Sequence, residues 1–160
     1  MLTSLATTAH LRATVLQSFD IPTDVDRLPI RPLHLTTELC DWIDGPLYED
    51  KRKIGGRTLY EHLEQYFIEF RCDDVLHATL RRMMPNKKGV WKMHPPGLRV
   101  YGWVPAPHQF IAVCAALETD THSDKTLNDK RREEVRDFIK KHHVTEIVYG
   151  DFLHAFPKTP

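Results

Sequence analysis

The sequence predicts an α+β fold: a small antiparallel sheet, made of a three-stranded meander plus an N-terminal strand, with two helices before the meander and one after it. Three observations predict it. Segments 59–70 and 127–139 carry apolar residues at helical spacing. Segments 89–93, 98–104 and 109–117 are short, rich in aromatic and β-branched residues, and joined by proline turns. A chain of 160 residues with 41% apolar and 28% charged residues suits one domain with a substantial core.

In chain order, residues 1–19 predict an amphipathic helix, with Leu2, Leu5, Leu11, Val15, Leu16 and Phe19 as its apolar side. Residues 20–32 contain three prolines, which fix φ and remove donors, so an extended linker follows. The main domain is expected over 33–143. It opens with a short strand around Leu33 and Leu35, then a helix capped by Thr36 or Thr37 that ends at Gly45-Pro46. The charged stretch 47–56 reads as a loop. Leu59, Leu63, Tyr66, Phe67 and Phe70 define the next helix, starting near Thr58. A further helix is expected from Asp73 or Asp74 to Met84, burying Val75, Leu76, Leu80 and Met83, before Pro85-Asn86 stops it.

The meander comes next. His94-Pro95-Pro96-Gly97 and Pro105-Ala106-Pro107 connect its strands, and the nearly unbroken apolar run Phe110 to Leu117 marks the central strand, covered on both faces. After a polar loop, Leu127, Val135, Phe138 and Ile139 form the stripe of a last helix. Alternation at Val144, Ile147 and Tyr149 predicts that 144–160 adds a strand and tail to the sheet edge.

Composition narrows the function. Lys plus Arg and Asp plus Glu both number 22, so the chain is formally neutral, unlike a protein that coats nucleic acid by phosphate neutralisation. The ten histidines raise its positive charge on mild acidification. Cys40, Cys72 and Cys114 lack metal-ligand spacing and read as reduced thiols in a cytoplasmic protein. No apolar run reaches the roughly 18 residues of a membrane helix, so no membrane partner is expected. P-loop, dinucleotide, zinc and serine-hydrolase motifs are missing, and neither a metal nor a cofactor is expected. The run Asp120, His122, Asp124 fits either a divalent ion or a turn that caps the following helix.

Four stretches resemble the RelE/ParE toxin superfamily, in particular its HigB-like, phage-associated branch. "LHLTTELCDWI" (33–43) is similar to that branch's opening strand and helix start. "GVWKM" (89–93) and "LRVYGW" (98–103) are similar to its second and third strands, and "FIAVCAALETDTH" (110–122) stands where the family has a strand ending in a basic loop. The resemblance spans roughly 33–142. It implies a metal-independent mRNA endoribonuclease, free or on the ribosome, or in the ParE branch a gyrase poison. It also implies RNA, the ribosome or an antitoxin as partner. Arg99 then takes the place of the family's strand arginine, whose planar fork suits phosphate oxygens. Lys92 is the second cation and His122 the proton carrier.

The positive patch of Arg81, Arg82, Lys87 and Lys88, with Tyr101 as a stacking ring, is the expected nucleic-acid surface. Trp91 and Trp103 could stack on bases in the same way as Tyr101, but at alternating strand positions some of the three must face the core, and core is the favoured reading for them. The family's basic loop is replaced here by Leu117-Glu118-Thr119-Asp120-Thr121-His122. That acidity, with the neutral charge, favours a second reading: a catalytically inactive phage or mobile-element accessory protein that binds and inhibits or bridges a host protein complex, or a subunit of a larger assembly.

Overall fold

Eight residues without a charge, Phe110–Leu117 (β8), form the strand around which the chain is arranged. The computed structural model describes residues 10–12, 14–73, 80–83 and 88–158. Further strands are Leu16–Ser18 (β1), Leu33–Thr36 (β2), Lys53–Ile54 (β3), Arg57–Thr58 (β4), Arg81–Arg82 (β5), Trp91–Met93 (β6) and Leu98–Trp103 (β7). The helices are Thr37–Trp42 (α1), Leu59–Cys72 (α2), Glu118–Ser123 (α3), Leu127–Lys141 (α4) and Phe152–Ala155 (α5). The main sheet has six strands in the order β1-β2-β8-β7-β6-β5.

The mixed α and β character agrees with the sequence, but the expected small, wholly antiparallel sheet does not. β6, β7 and β8 do pair antiparallel in succession. They sit inside a larger mixed sheet, because β2 runs parallel to β8, with Leu33 opposite Phe110 and Leu35 opposite Ala112. A parallel neighbour needs a long crossover, and most of the chain between 37 and 109 supplies it.

Both faces of the sheet are covered. On one, Trp91, Met93, Leu98, Val100, Phe110 and Ala112 pack with Leu59, Leu63, Phe67 and Phe70 of α2. On the other, Tyr101, Trp103, Ile111, Val113 and Ala116 pack with Val135 and Ile139 of α4. Each such side chain, fully buried, contributes about 1.5–3 kcal/mol. Helix α2 starts where a capping box is encoded: Thr58 Oγ1 accepts from Glu61 N while Glu61 Oε2 accepts from Thr58 N. Its far end is closed by arginine. Arg31, 4% exposed, donates through Nη1 to the carbonyls of Phe70 and Asp73. Arg71 Nε donates to Arg31 O. The proline linker is therefore clamped to the carbonyls that α2 leaves open at its end.

Several expected elements are replaced. The N-terminal helix gives way to β1 by Leu16, whose backbone pairs with Thr36; residues 1–9 and 13 lie outside the described residues. Gly45-Pro46 does not stop the first domain helix. It continues through a π-helical turn, Ile43–Leu47, because a wider turn accommodates the missing proline donor and the buried Ile43 and Leu47 hold it to the core. The 47–56 loop contains half of a two-stranded hairpin, β3 with β4, turned by Gly55 and Gly56 at positive φ.

The helix expected from 73 or 74 to 84 is contradicted at its end, where Arg81–Arg82 is a strand on β6. Val75 and Leu76 lie outside the described residues. Leu80 and Met83 are buried as core residues, flanking that strand. The polar loop after β8 is helix α3. Segment 144–149 is not a strand: Val148 N donates to Val104 O, and Trp103 Nε1 to Glu146 O. Beyond it α5 carries Phe156 into the core, edge-on to Phe70 and Trp91.

The β7–β8 pairing slips by one residue at Tyr101/Gly102, so Tyr101 lies opposite Cys114 and Gly102 opposite Ala112. A Cβ on Gly102 would lie 1.9 Å from the Ile111 carbonyl oxygen. Gly102→Ala is therefore expected to destabilise the fold by about 3 kcal/mol in denaturant unfolding, the upper part of the usual overpacking range, since the obstacle is backbone.

Candidate cationic site on the sheet face

Alternation along a strand decides which basic side chains meet. Lys92 is opposite Tyr101 on one side and Arg81 on the other, so all three share the face that α4 covers. Arg99, two residues before Tyr101, is on that face too, opposite Ala116. Helix α4 lies chiefly over β7 and β8, and at the β5–β6 margin Arg81 is exposed and Lys92 half-buried. Like charges directly across a strand pair destabilise a sheet. Here neither Arg81 nor Lys92 has an acidic partner among the described residues. Burial, then Arg99 and then Arg81, lowers the Lys92 ammonium pKa below its ordinary value.

One carboxylate borders the cluster. Arg99 Nη2 lies 3.0 Å from Glu118 Oε1, and its Nη1 donates to Leu98 O at 2.6 Å. The Arg99 side chain is 15% exposed. Glu118 is placed by the first turn of α3, where its own N–H donates to Gly97 O. His122, one turn further on, brings Nε2 to 3.8 Å from the same Glu118 oxygen and is 72% exposed. The structure thus brings Arg99 and His122 to Glu118, with Lys92 near Arg99 rather than at the carboxylate.

His94 belongs to this group and was not singled out by sequence. It follows β6 and is half-buried, and its Nε2 is enclosed without a hydrogen-bond partner. Its pKa is lowered to about 4 by burial first, then by Arg99, Lys92 and Arg81, with Glu118 opposing. At neutral pH the imidazole is uncharged. The available signal was positional: in Lys92-Met93-His94, alternation alone puts His94 beside Lys92.

The expected nucleic-acid surface divides. Arg81 joins the cluster. Arg82 is opposite Trp91 on the other face and donates to Gly150 O at 3.3 Å. Lys88 pairs with Glu133 at 3.0 Å, away on α4. Lys87 lies outside the described residues. Tyr101 is fully buried and its hydroxyl donates to Asn128 Oδ1 at 2.5 Å, so it is not a stacking platform. Asp124 accepts from Thr126 N and Oγ1 and meets Lys130, a side-chain turn that leads into α4 without capping its first-turn N–H groups.

No family model, curated protein or solved structure matches this chain. Its chemistry must be argued from the geometry above. A cavity of about 400 Å³ lies elsewhere, between α1 and α4. Of its charged lining, Arg131 donates to Ala115 O and pairs with Glu134.

The histidines set a pH dependence. His34, like His94, is lowered to about 4, by burial and then Arg12 and Arg71. The unfolded chain takes up these protons near pH 6.5 and the folded chain only near 4, so stability falls as pH drops between those values. Allowing for solvent screening at these half-exposed sites, each histidine is expected to cost about 1 kcal/mol at pH 4.5 relative to pH 7. Denaturant unfolding at the two pH values checks this, and His34→Gln with His94→Gln should flatten the difference.

Proposed function

We propose that the chain is a RelE/HigB-like, toxin-type domain that engages single-stranded RNA at this cluster and cleaves it without a metal. The observation that supports the reading is the convergence of Arg81, Lys92 and Arg99 on one half-open sheet face with a single bordering acid. Such a like-charge arrangement costs stability, and a phosphate bound among the three offsets that cost. The likeness of segments 33–43, 89–93, 98–103 and 110–122 to that superfamily points the same way.

In this scheme the RNA 2′-oxygen forms a bond to the adjacent phosphorus while the bond from phosphorus to the 5′-oxygen breaks. Lys92 and Arg99 stabilise the charge that develops on the phosphoryl oxygens. The proton of the 2′-hydroxyl passes to the Glu118 carboxylate as Arg99 turns from it to the phosphate. His122, in its protonated form, delivers a proton to the leaving 5′-oxygen.

A second reading has one observation in its favour: Arg99 is already held by Glu118 and only slightly exposed. A domain with that pair locked is a catalytically silent protein that binds a host or phage complex through the same face.

Expression in a bacterium with and without the substitution Arg99→Ala separates the two. The nuclease reading expects growth arrest, RNA cleavage by purified protein with or without ribosomes, and a loss of about 100-fold or more in cleavage for Arg99→Ala and for Lys92→Ala. Unimpeded growth together with intact RNA in both assays eliminates the nuclease and leaves the silent binder.

A further inference from the structure

We propose that His94 is the fourth ligand of this site, a group that binds an RNA phosphodiester by donating through Nε2 to a non-bridging oxygen as an imidazolium. The inference rests on the RNA-engaging reading above and adds a residue and a proton to it.

Geometry carries the argument. Nε2 of His94 is covered in the ligand-free protein and has no partner among the described residues, an unfavourable position for a polar atom. The ring is only half-buried, so it must turn outward for Nε2 to meet a ligand. The groups whose charge acts on the imidazole come from four elements: Arg81 of β5, Lys92 of β6, Arg99 of β7 and Glu118 of α3. Three are cations and one is an acid already paired with Arg99. Free of ligand, the cations and burial exclude a further positive charge, which is why the imidazole is held neutral. An anion among them reverses the balance. It cancels the repulsion that Arg81, Lys92 and Arg99 exert on His94, and it offers the acceptor that Nε2 lacks.

Binding is then coupled to uptake of one proton. The coupling has a definite sign: the bound complex is stabilised as pH falls, because the liganded histidine protonates at a higher pH than the free one. If the bound imidazole titrates near its ordinary value of about 6.5, RNA should bind roughly tenfold more tightly at pH 5.5 than at pH 8. The diester itself does not titrate in this range, so the effect reports on the protein.

The experiment measures the Kd of the full chain for a short oligouridylate lacking a terminal phosphate, at pH 8 and pH 5.5 and constant ionic strength. The wild type should tighten roughly tenfold across that interval, while His94→Gln loses most of the tightening. NMR titration of the His94 ring in the unsubstituted protein supplies a second readout that needs no variant. Its pKa should rise by about two units when the oligonucleotide is added. Binding that does not vary with pH, or a His94 ring whose titration is unmoved by saturating RNA, overturns the proposal while leaving the RNA-engaging face intact. Failure of the oligonucleotide to bind at either pH overturns both.

Discussion

The one-residue slip between β7 and β8, made possible by Gly102, is the constraint on which the molecule depends. Because Val113 is left over in the pairing, Val113 and Cys114 both turn toward the α4 side. Phe110 and Ala112, before the slip, then face α2 together with Ala115 and Leu117 after it. Without the slip the two halves of the central strand would present opposite patterns, and one half would put its α2-facing residues under α4. Glycine is required because the two backbones approach to where any side chain would meet the Ile111 carbonyl. Alternation along β7 and the separate β6–β7 register put Arg99, Tyr101 and Lys92 on a common face.

That face holds two kinds of residue, divided by depth. Tyr101 and Trp103, under α4, are completely buried, and burial pushes the Tyr101 phenol up to about 12, fixing it as a donor to Asn128. Arg81 and Lys92 lie toward the β5–β6 margin, the first exposed and the second half-buried. Arg99 is the intermediate case, its guanidinium divided between Leu98 O and Glu118. Its planar fork has further donors, which the proposed phosphate would use once Glu118 releases it. A formally neutral chain thus holds a locally positive surface, because its acids are placed elsewhere, on α4 and in the caps of short turns.

What the sequence disclosed follows from how local each signal is. The helix start near Thr58 and the stripe from Leu59 to Phe70 are local signals, and α2 forms as read, with a capping box to Glu61 that the structure adds. The runs at 91–93, 98–103 and 110–117 are strands because alternation and branched side chains act over a few residues. Strand β2 was read at Leu33 and Leu35, but its parallel pairing with β8 and the two-residue strand β5 were not legible, since both depend on segments distant in the chain. Gly45-Pro46 looked like a helix stop, but burial of Ile43 and Leu47 outweighs the local preference. Of the site, Lys92, Arg99 and His122 were marked by the family resemblance, and the structure brings Arg99 and His122 to Glu118 with Lys92 near Arg99. His94 was passed over because it sits in a proline turn, and Tyr101 was misjudged because aromatic character does not reveal which face lies beneath a helix.

The account stands on a localised anion site at the β5–β6–β7 margin, and chemical-shift mapping with oligouridylate tests that most directly. It predicts that the perturbed resonances cluster at Arg81, Lys92, His94, Arg99 and Glu118 and weaken with added salt. Perturbations centred instead on Arg82, on Lys88 and Glu133, or on the cavity between α1 and α4, with the margin unchanged, would contradict it.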